Sequence, residues 1–416
     1  MKTLLTGGSV FDGEQRLERH DVLIANGTIV SCAPAAEFQG YEGARLDLRG
    51  HTVMPGLIDC HVHLVMTGAA DVVAALRADP SKQAARFEKH AEETLRGGVT
   101  TLRDLGGAPA HAFALRERSR AGEWRGPTLH LAGFITRPGG HGHWLASNVE
   151  AGGVDACRAR VRDHVRLGFD WIKIAVSGGV LTPNSDPREA TYSTDEIQAL
   201  IGEAARLDRP VAAHALGATA ILRAVDSGVR TIEHGTELTD EALEAMIARN
   251  VALVPTLLAN DRLMHAAQRN LGLPQHAVEK VQRFGAMRRE SFRRFVRAGG
   301  TIAMGTDAGT PFNPHGNNAR ELELMVQEGA TPLQALRAAT SVAAELLGSR
   351  AGRIAAGRPA DLLVVRGDPL ADVTCVSDRR RHAFVFKRGA QVPQRTDDIA
   401  AEPPTPHPIH DQAPSF

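Results

Sequence analysis

Val53-Met54-Pro55-Gly56-Leu57-Ile58-Asp59-Cys60-His61-Val62-His63-Leu64 decides how the chain is read. The apolar run Val53 to Ile58 has the composition of a buried strand, and it leads into two histidines two positions apart. Residues i and i+2 of a strand face the same side. His61 and His63 are therefore neighbours, and two imidazoles at a strand end can share one metal ion. An ordinary pair of histidines on a half-exposed strand would look the same, because His-x-His is a short pattern. The choice between the two falls to the rest of the chain.

Downstream of this stretch, short apolar runs alternate with helical ones. The strand candidates are Val53–Ile58, Val99–Arg103, Thr128–Gly133, Trp171–Val176, Pro210–Ala213, Arg230–Ile232, Ala252–Val254 and Thr301–Met304. Helical spacing falls between them at Ala84–Arg96, Ala156–Arg166, Thr194–Ala205, Ala218–Asp226, Asp240–Arg249 and Glu290–Ala298, and later at Thr331–Leu347. Eight strand–helix repeats predict an α/β fold, a parallel (β/α)8 TIM-like barrel. A doubly wound open sheet is the competing architecture. It is disfavoured because no Gly-x-Gly-x-x-Gly turn follows the first strand.

Both ends of the chain read differently. Residues 1–52 are short strands divided by Gly7-Gly8, Asp12-Gly13 and Asn26-Gly27, the last a hairpin signal. The strand pattern returns at Asp361–Val365 and His382–Lys387. Neither end is long enough to bury a core alone, so 1–52 and 352–393 are expected to pair into one small β-sandwich domain beside a barrel of 53–351. Residues 394–416 are a Pro-rich, charged tail expected to be mobile or draped on the surface.

Composition excludes several classes. The formal net charge is zero, which gives no electrostatic footprint for nucleic acid, and no basic amphipathic stretch suits a membrane surface. No apolar run is long enough to span a bilayer. Gly7-Gly8 interrupts the N-terminus before a signal-peptide core could form. Cys32, Cys60, Cys157 and Cys375 lie far apart, without zinc-ribbon or redox spacing. The expectation is a cytoplasmic protein acting on a small molecule, and a homo-oligomer.

In such a barrel the reactive side chains stand at the C-terminal ends of the strands. His61 and His63 end the first strand, Lys173 lies in the fourth, His214 ends the fifth, His234 the sixth and Asp307 the eighth. Taken singly, His214 could be a satisfied core histidine and Asp307 a turn residue before Gly309. Lys173 is harder to treat so, since a lysine inside an apolar strand needs a partner and the chain has only six lysines. Structural explanations would need six separate coincidences of residue type and place.

These residues resemble the amidohydrolase superfamily of metal-dependent hydrolases. The Pro55-Gly56-Leu57-Ile58-Asp59 lead-in to His61-x-His63 is similar to its opening motif. Gly139-Gly140-His141-Gly142, Lys173-Ile174-Ala175-Val176-Ser177-Gly178-Gly179, Thr191-Tyr192-Ser193, Ile232-Glu233-His234-Gly235, Gly305-Thr306-Asp307-Ala308-Gly309 and His315-Gly316-Asn317-Asn318-Ala319-Arg320-Glu321-Leu322 resemble its imidazolonepropionase-like, prolidase-like branch.

The resemblance implies two divalent ions, usually zinc. His61, His63 and Asp307 would hold one, His214 and His234 the other, and Lys173 would bridge them as a CO2-derived carbamate. Burial favours the neutral amine that captures carbon dioxide. Two cations sharing a water would lower its pKa and provide a bridging hydroxide, with Asp307 as proton shuttle. His141 would bind the carbonyl oxygen or a substrate carboxylate. Tyr192 would contact the substrate, with His143 and Trp144 close by. The expected activity is hydrolysis of an amide bond in a dipeptide or N-acyl amino acid. A cyclic amide hydrolase or deaminase would use the same metals, and a non-enzymatic barrel would be expected to have lost ligands.

Overall fold

The structure, a computed structural model, describes residues 2–78, 80–145 and 148–394. The tail expected from 394 onward lies outside them apart from Gln394. Seven parallel strands form the barrel wall in sequence order: Leu57–Val62, Val99–Asp104, Thr128–Thr136, Trp171–Ala175, Val211–Ala215, Thr231–His234 and Ala252–Val254. Almost all of their residues are buried, as in a sheet covered on both faces. No helix among the described residues is long and apolar enough to cross a membrane.

The eighth strand, expected at Thr301–Met304, is not a regular strand. It closes the barrel through two parallel bridges, Leu253 with Ile302 and Val62 with Ala308. Between them the Met304 N–H turns to the Ala338 carbonyl at 2.8 Å, while the Met304 carbonyl accepts from the Cys60 N–H at 2.8 Å. The backbone then turns left-handed at Asp307, φ 56°, so the ladder cannot continue. Asp307 N–H still reaches the His61 carbonyl at 2.7 Å, locking the last segment onto the first strand.

The run Val53–Ile58 also divides. His51–Pro55 pairs with Leu362–Arg366 in a separate six-stranded sheet, and only Leu57–Val62 enters the barrel. Gly56 is the break, where a Cβ would lie 2.2 Å from the Thr100 side chain. The four-stranded second sheet contains the Asn26-Gly27 hairpin, whose turn residues take φ 49° and 79°. Leu5, Val22, Ile24 and Leu48 from one chain end pack with Leu362, Val364 and Phe386 from the other.

The helices follow their capping signals. Ser193 and Glu196 form a reciprocal capping box before Thr194–Arg206, and Thr331 and Gln334 form another before Pro332–Ala338. The single stretch expected at 331–347 is two helices, Pro332–Ala338 and Ser341–Leu347. The region 259–284, which has the composition of a loop, is helical as Leu257–Gln268 and the first half of Gln275–Arg297. Gly285 permits their contact, since a Cβ there would lie 2.5 Å from Met264 Sδ.

Candidate active site

The strand register sets the site. Ala175 pairs with His214, His214 with Glu233 and Ala215 with His234, so successive strand ends deliver their side chains to one rim. His61, His63, His141, Lys173, His214, His234 and Asp307 line a single cavity there. Asp307 Oδ1 lies 3.4 Å from His61 Nε2 and 3.3 Å from His63 Nε2. The rings follow one another at centroid distances of 5.1 Å from His61 to His234, 4.7 Å to His214 and 4.1 Å to His141, the last pair stacked. The tightest group of ligand atoms among the described residues crosses the expected division of ligands: His61, His234 and Asp307 lie within 4.8 Å of one another.

Each histidine is aimed by a bond on its other nitrogen. His63 Nδ1–H donates to the Gly106 carbonyl at 3.2 Å, leaving the Nε2 lone pair toward Asp307. His214 uses Nε2–H on the Gly178 carbonyl at 3.0 Å, which leaves Nδ1 free. His234 Nδ1 is hydrogen-bonded to the Thr256 hydroxyl at 2.8 Å. His61 Nδ1–H donates to the Glu233 carboxylate at 2.7 Å. Fixing one ring nitrogen in this way orients the other for a metal and raises its basicity. His234 and Asp307 both have positive φ, 73° and 56°, a conformation that costs about 1–3 kcal/mol for a residue other than glycine and concentrates at functional sites.

Lys173 is 2 % exposed, and its Nζ has no hydrogen-bond partner. Burial lowers its pKa to about 8, against the pull of Glu233 and Asp307. An unpartnered amine is costly in such a place. Burial pushes the Asp307 carboxyl up, but His61, His63 and Lys173 outweigh that and hold it well below the usual range. The donor set of imidazoles, one carboxylate and an amine poised for modification therefore fits divalent ions.

Two residues expected to contact the substrate lie outside the cavity lining. Tyr192 is packed in the core and its hydroxyl donates to the Ala151 carbonyl at 3.0 Å. It is not among the residues that line the cavity. His143 is exposed and bonds the Gly140 carbonyl at 2.8 Å, turning away from the cavity that Trp144 lines. His141 does face the cavity, with Nδ1 3.0 Å from the Thr182 hydroxyl. Gly179 covers it so closely that a Cβ there would lie 2.0 Å from His141 Nδ1.

Three residues of the site were not predicted from the sequence. Glu233 and Arg103 are fully buried and paired at 2.9 Å. Arg103 also donates Nε–H to the Cys60 carbonyl at 2.6 Å and lies 4.3 Å above the Trp171 ring. Burial raises the Glu233 carboxyl, but Arg103, His61 and Lys173 outweigh it and hold it at about 2. A charged residue within an apolar strand was the signal, the same one that singled out Lys173. Arg288 is the third, reaching the cavity from the helix Gln275–Arg297. Asp59 ties the first strand to the last segment, accepting from the His61 N–H at 2.9 Å, the Thr306 hydroxyl at 2.6 Å and the Asn318 amide at 2.7 Å.

The model of the amidohydrolase family matches residues 52–392. The chain belongs to that family. This amidohydrolase is 28 % identical over 420 residues to the ochratoxinase of Aspergillus niger, covering 93 % of this chain and 86 % of the other. A crystal structure of a Xaa-Pro dipeptidase with methionine bound in its active site superposes with a TM-score of 0.87 at 31 % identity, covering 94 % of this chain and 99 % of that one. A prolidase complexed with N-methylphosphonate-L-proline gives a TM-score of 0.85 at 33 % identity, with coverage of 95 % and 100 %. Membership makes this amidohydrolase an enzyme acting on carbon–nitrogen bonds of small molecules.

Proposed function

We propose that the protein is a binuclear metal-dependent hydrolase cleaving the amide bond of a dipeptide or N-acyl amino acid. The observation that carries this reading is the buried, unpartnered Lys173 Nζ in one cavity with five histidines and Asp307. As a carbamate, Lys173 would offer two anionic oxygens and bridge two divalent ions, zinc being the natural choice for imidazole and carboxylate donors. His61, His63 and Asp307 would hold one ion, and His214 and His234 the other. Bound there, the ions would acidify a shared water and polarise the scissile carbonyl.

The chain's own groups do the rest. Asp307, kept anionic, takes the proton of the attacking water and passes it to the leaving nitrogen. His141 binds the carbonyl oxygen from the far side of His214. The Arg103–Glu233 pair holds His61, and Thr256 holds His234. Phe134, Trp144, Leu181 and Leu263 wall the cavity with apolar surface and exclude bulk water. We take the two end sheets as one accessory β-sandwich domain, on the support of their shared core and the pairing of 51–55 with 362–366. The free state of all four cysteines suits a reducing cytoplasm.

The test is a panel of dipeptides, N-acyl amino acids and lactams offered to zinc-loaded enzyme, with ion content measured in parallel. Turnover of the first two classes with about two ions per chain is expected. Full activity in rigorously metal-free protein, or turnover of lactams alone, would overturn the reading.

A further inference from the structure

Arg288 lies on the cavity side of the helix Gln275–Arg297 and is 7 % exposed. Its Nε–H donates to the Thr236 hydroxyl at 3.2 Å, and Nη1–H makes a long bond of 3.4 Å to the Thr256 hydroxyl. No carboxylate forms an ion pair with it among the described residues. The other three buried arginines behave differently: Arg96, Arg103 and Arg116 each have a carboxylate within 4.0 Å. Burial lowers the Arg288 pKa to about 10 against the pull of Asp307 and Glu321, so it stays charged near neutral pH, and a buried charge without a direct ion pair is costly. Two carboxylates act on Arg288 from a distance, and both are engaged elsewhere: Asp307 with His61 and His63, and Glu321 with the Leu257 and Leu258 N–H groups at 2.8 Å and 2.6 Å.

The guanidinium offers five N–H donors in a planar fork. The two threonines use two of them, and Arg288 is among the residues that line the cavity. That face matches a carboxylate held by two parallel bonds. Lys280, two turns earlier on the same helix, is not available, because it spends its ammonium on the Gly179 and Thr182 carbonyls at 3.0 Å and 2.6 Å. With Tyr192 buried elsewhere, Arg288 is left as the cationic donor between the metal-ligand cluster and the apolar wall.

We propose that Arg288 grips a non-reacting carboxylate of the substrate and so selects anionic amides, with the apolar portion lying against Phe134, Trp144 and Leu181. This rests on the hydrolytic reading of the cavity and names the anchor within it. The competing role is structural: Arg288 could act only by steadying Thr256, and through it His234.

Matched N-acyl amino acids and their α-carboxamides separate the two. In the wild type the acids are preferred. In Arg288→Met the ratio of kcat/KM for acid over carboxamide falls at least tenfold, and Arg288→Lys is intermediate. Thr256→Val lowers both substrates alike and leaves the ratio unchanged. An unchanged ratio in Arg288→Met, with both substrates equally impaired and ions lost, would assign Arg288 to Thr256 and overturn the proposal. Calorimetric titration of the zinc-loaded protein with the same compounds keeps the anchor testable even if neither is hydrolysed. Acids that bind the wild type no better than carboxamides overturn the anchor, whereas selective binding without turnover overturns only the amide substrate.

Discussion

Glu233→Gln changes one charge and almost no volume, in the fully buried pair that aims His61. Arg103 would keep its bond to the Cys60 carbonyl at 2.6 Å, a 3.3 Å bond to the Thr231 hydroxyl and its place over Trp171. Those remaining contacts put the loss at the low end of the range for a broken buried pair, about 3 kcal/mol. An unfolding entropy of roughly 2.1 cal/mol/K per residue gives about 0.9 kcal/mol/K for this chain, so the melting temperature should fall by about 3 °C. His61 would lose the carboxylate that raises the basicity of its Nε2, and ion affinity should drop about 10- to 100-fold. Calorimetry of the ion-free protein reads the first effect, and competition against a chelator of known affinity reads the second. A melting shift with ion affinity unchanged would show that the pair only stabilises the barrel, and the orienting role of Glu233 would be refuted.

Asp307→Asn should lower the turnover number by about a hundredfold or more, the scale of general acid–base contributions. A change confined to the Michaelis constant would contradict the shuttle. Lys173→Ala should abolish activity and release ions, and added short carboxylic acids should partly restore both; retention of two ions by the untreated variant would exclude a bridging carbamate. Tyr192→Phe should cost about 1 kcal/mol of stability, through the Ala151 carbonyl left without its donor, and should affect acidic and neutral substrates alike. A selective loss on carboxylate substrates would return Tyr192 to the site.

The cluster of polar side chains at the rim was legible because its members break the pattern around them. Histidines, a lysine and an aspartate at the ends of apolar strands have few structural reasons to be there. The same signal marked Arg103 and Glu233, but a charge pair inside the wall is not separable in sequence from a residue facing solvent. Arg288 had no signal at all. Met287-Arg288-Arg289 reads as an ordinary helix surface, and its neighbours Arg289 and Arg293 do pair outside, with Asp261 and Glu328. The helix that carries it was placed too late because Gly285 interrupts the pattern. A mid-helix glycine costs about 1 kcal/mol on its own, and here the close approach of Met264 gives it a purpose that only the fold reveals. Tyr192 stood out by scarcity, and a lone tyrosine near the strand ends serves as a packing residue as readily as a ligand contact.

The bond from Thr306 to Asp59 spans 247 residues, and that from Thr52 to the Gly367 carbonyl spans 315. During synthesis at about 5–20 residues per second, the first-strand histidines would leave the ribosome roughly 10 to 50 s before Asp307. Through that interval His51–Pro55 has no Leu362–Arg366 to pair with, and the opening strand of the barrel presents a bare edge to other chains. On the metal-dependent reading, ion capture would be a late event in the life of the nascent polypeptide, and the apolar opening strands would depend on protection from aggregation before they could depend on an ion. Ribosome-stalled chains ending before Thr301 should bind zinc weakly, and those that expose the segment through Ala308 should bind it tightly. Equal binding by both would mean that the early histidines form a site of their own.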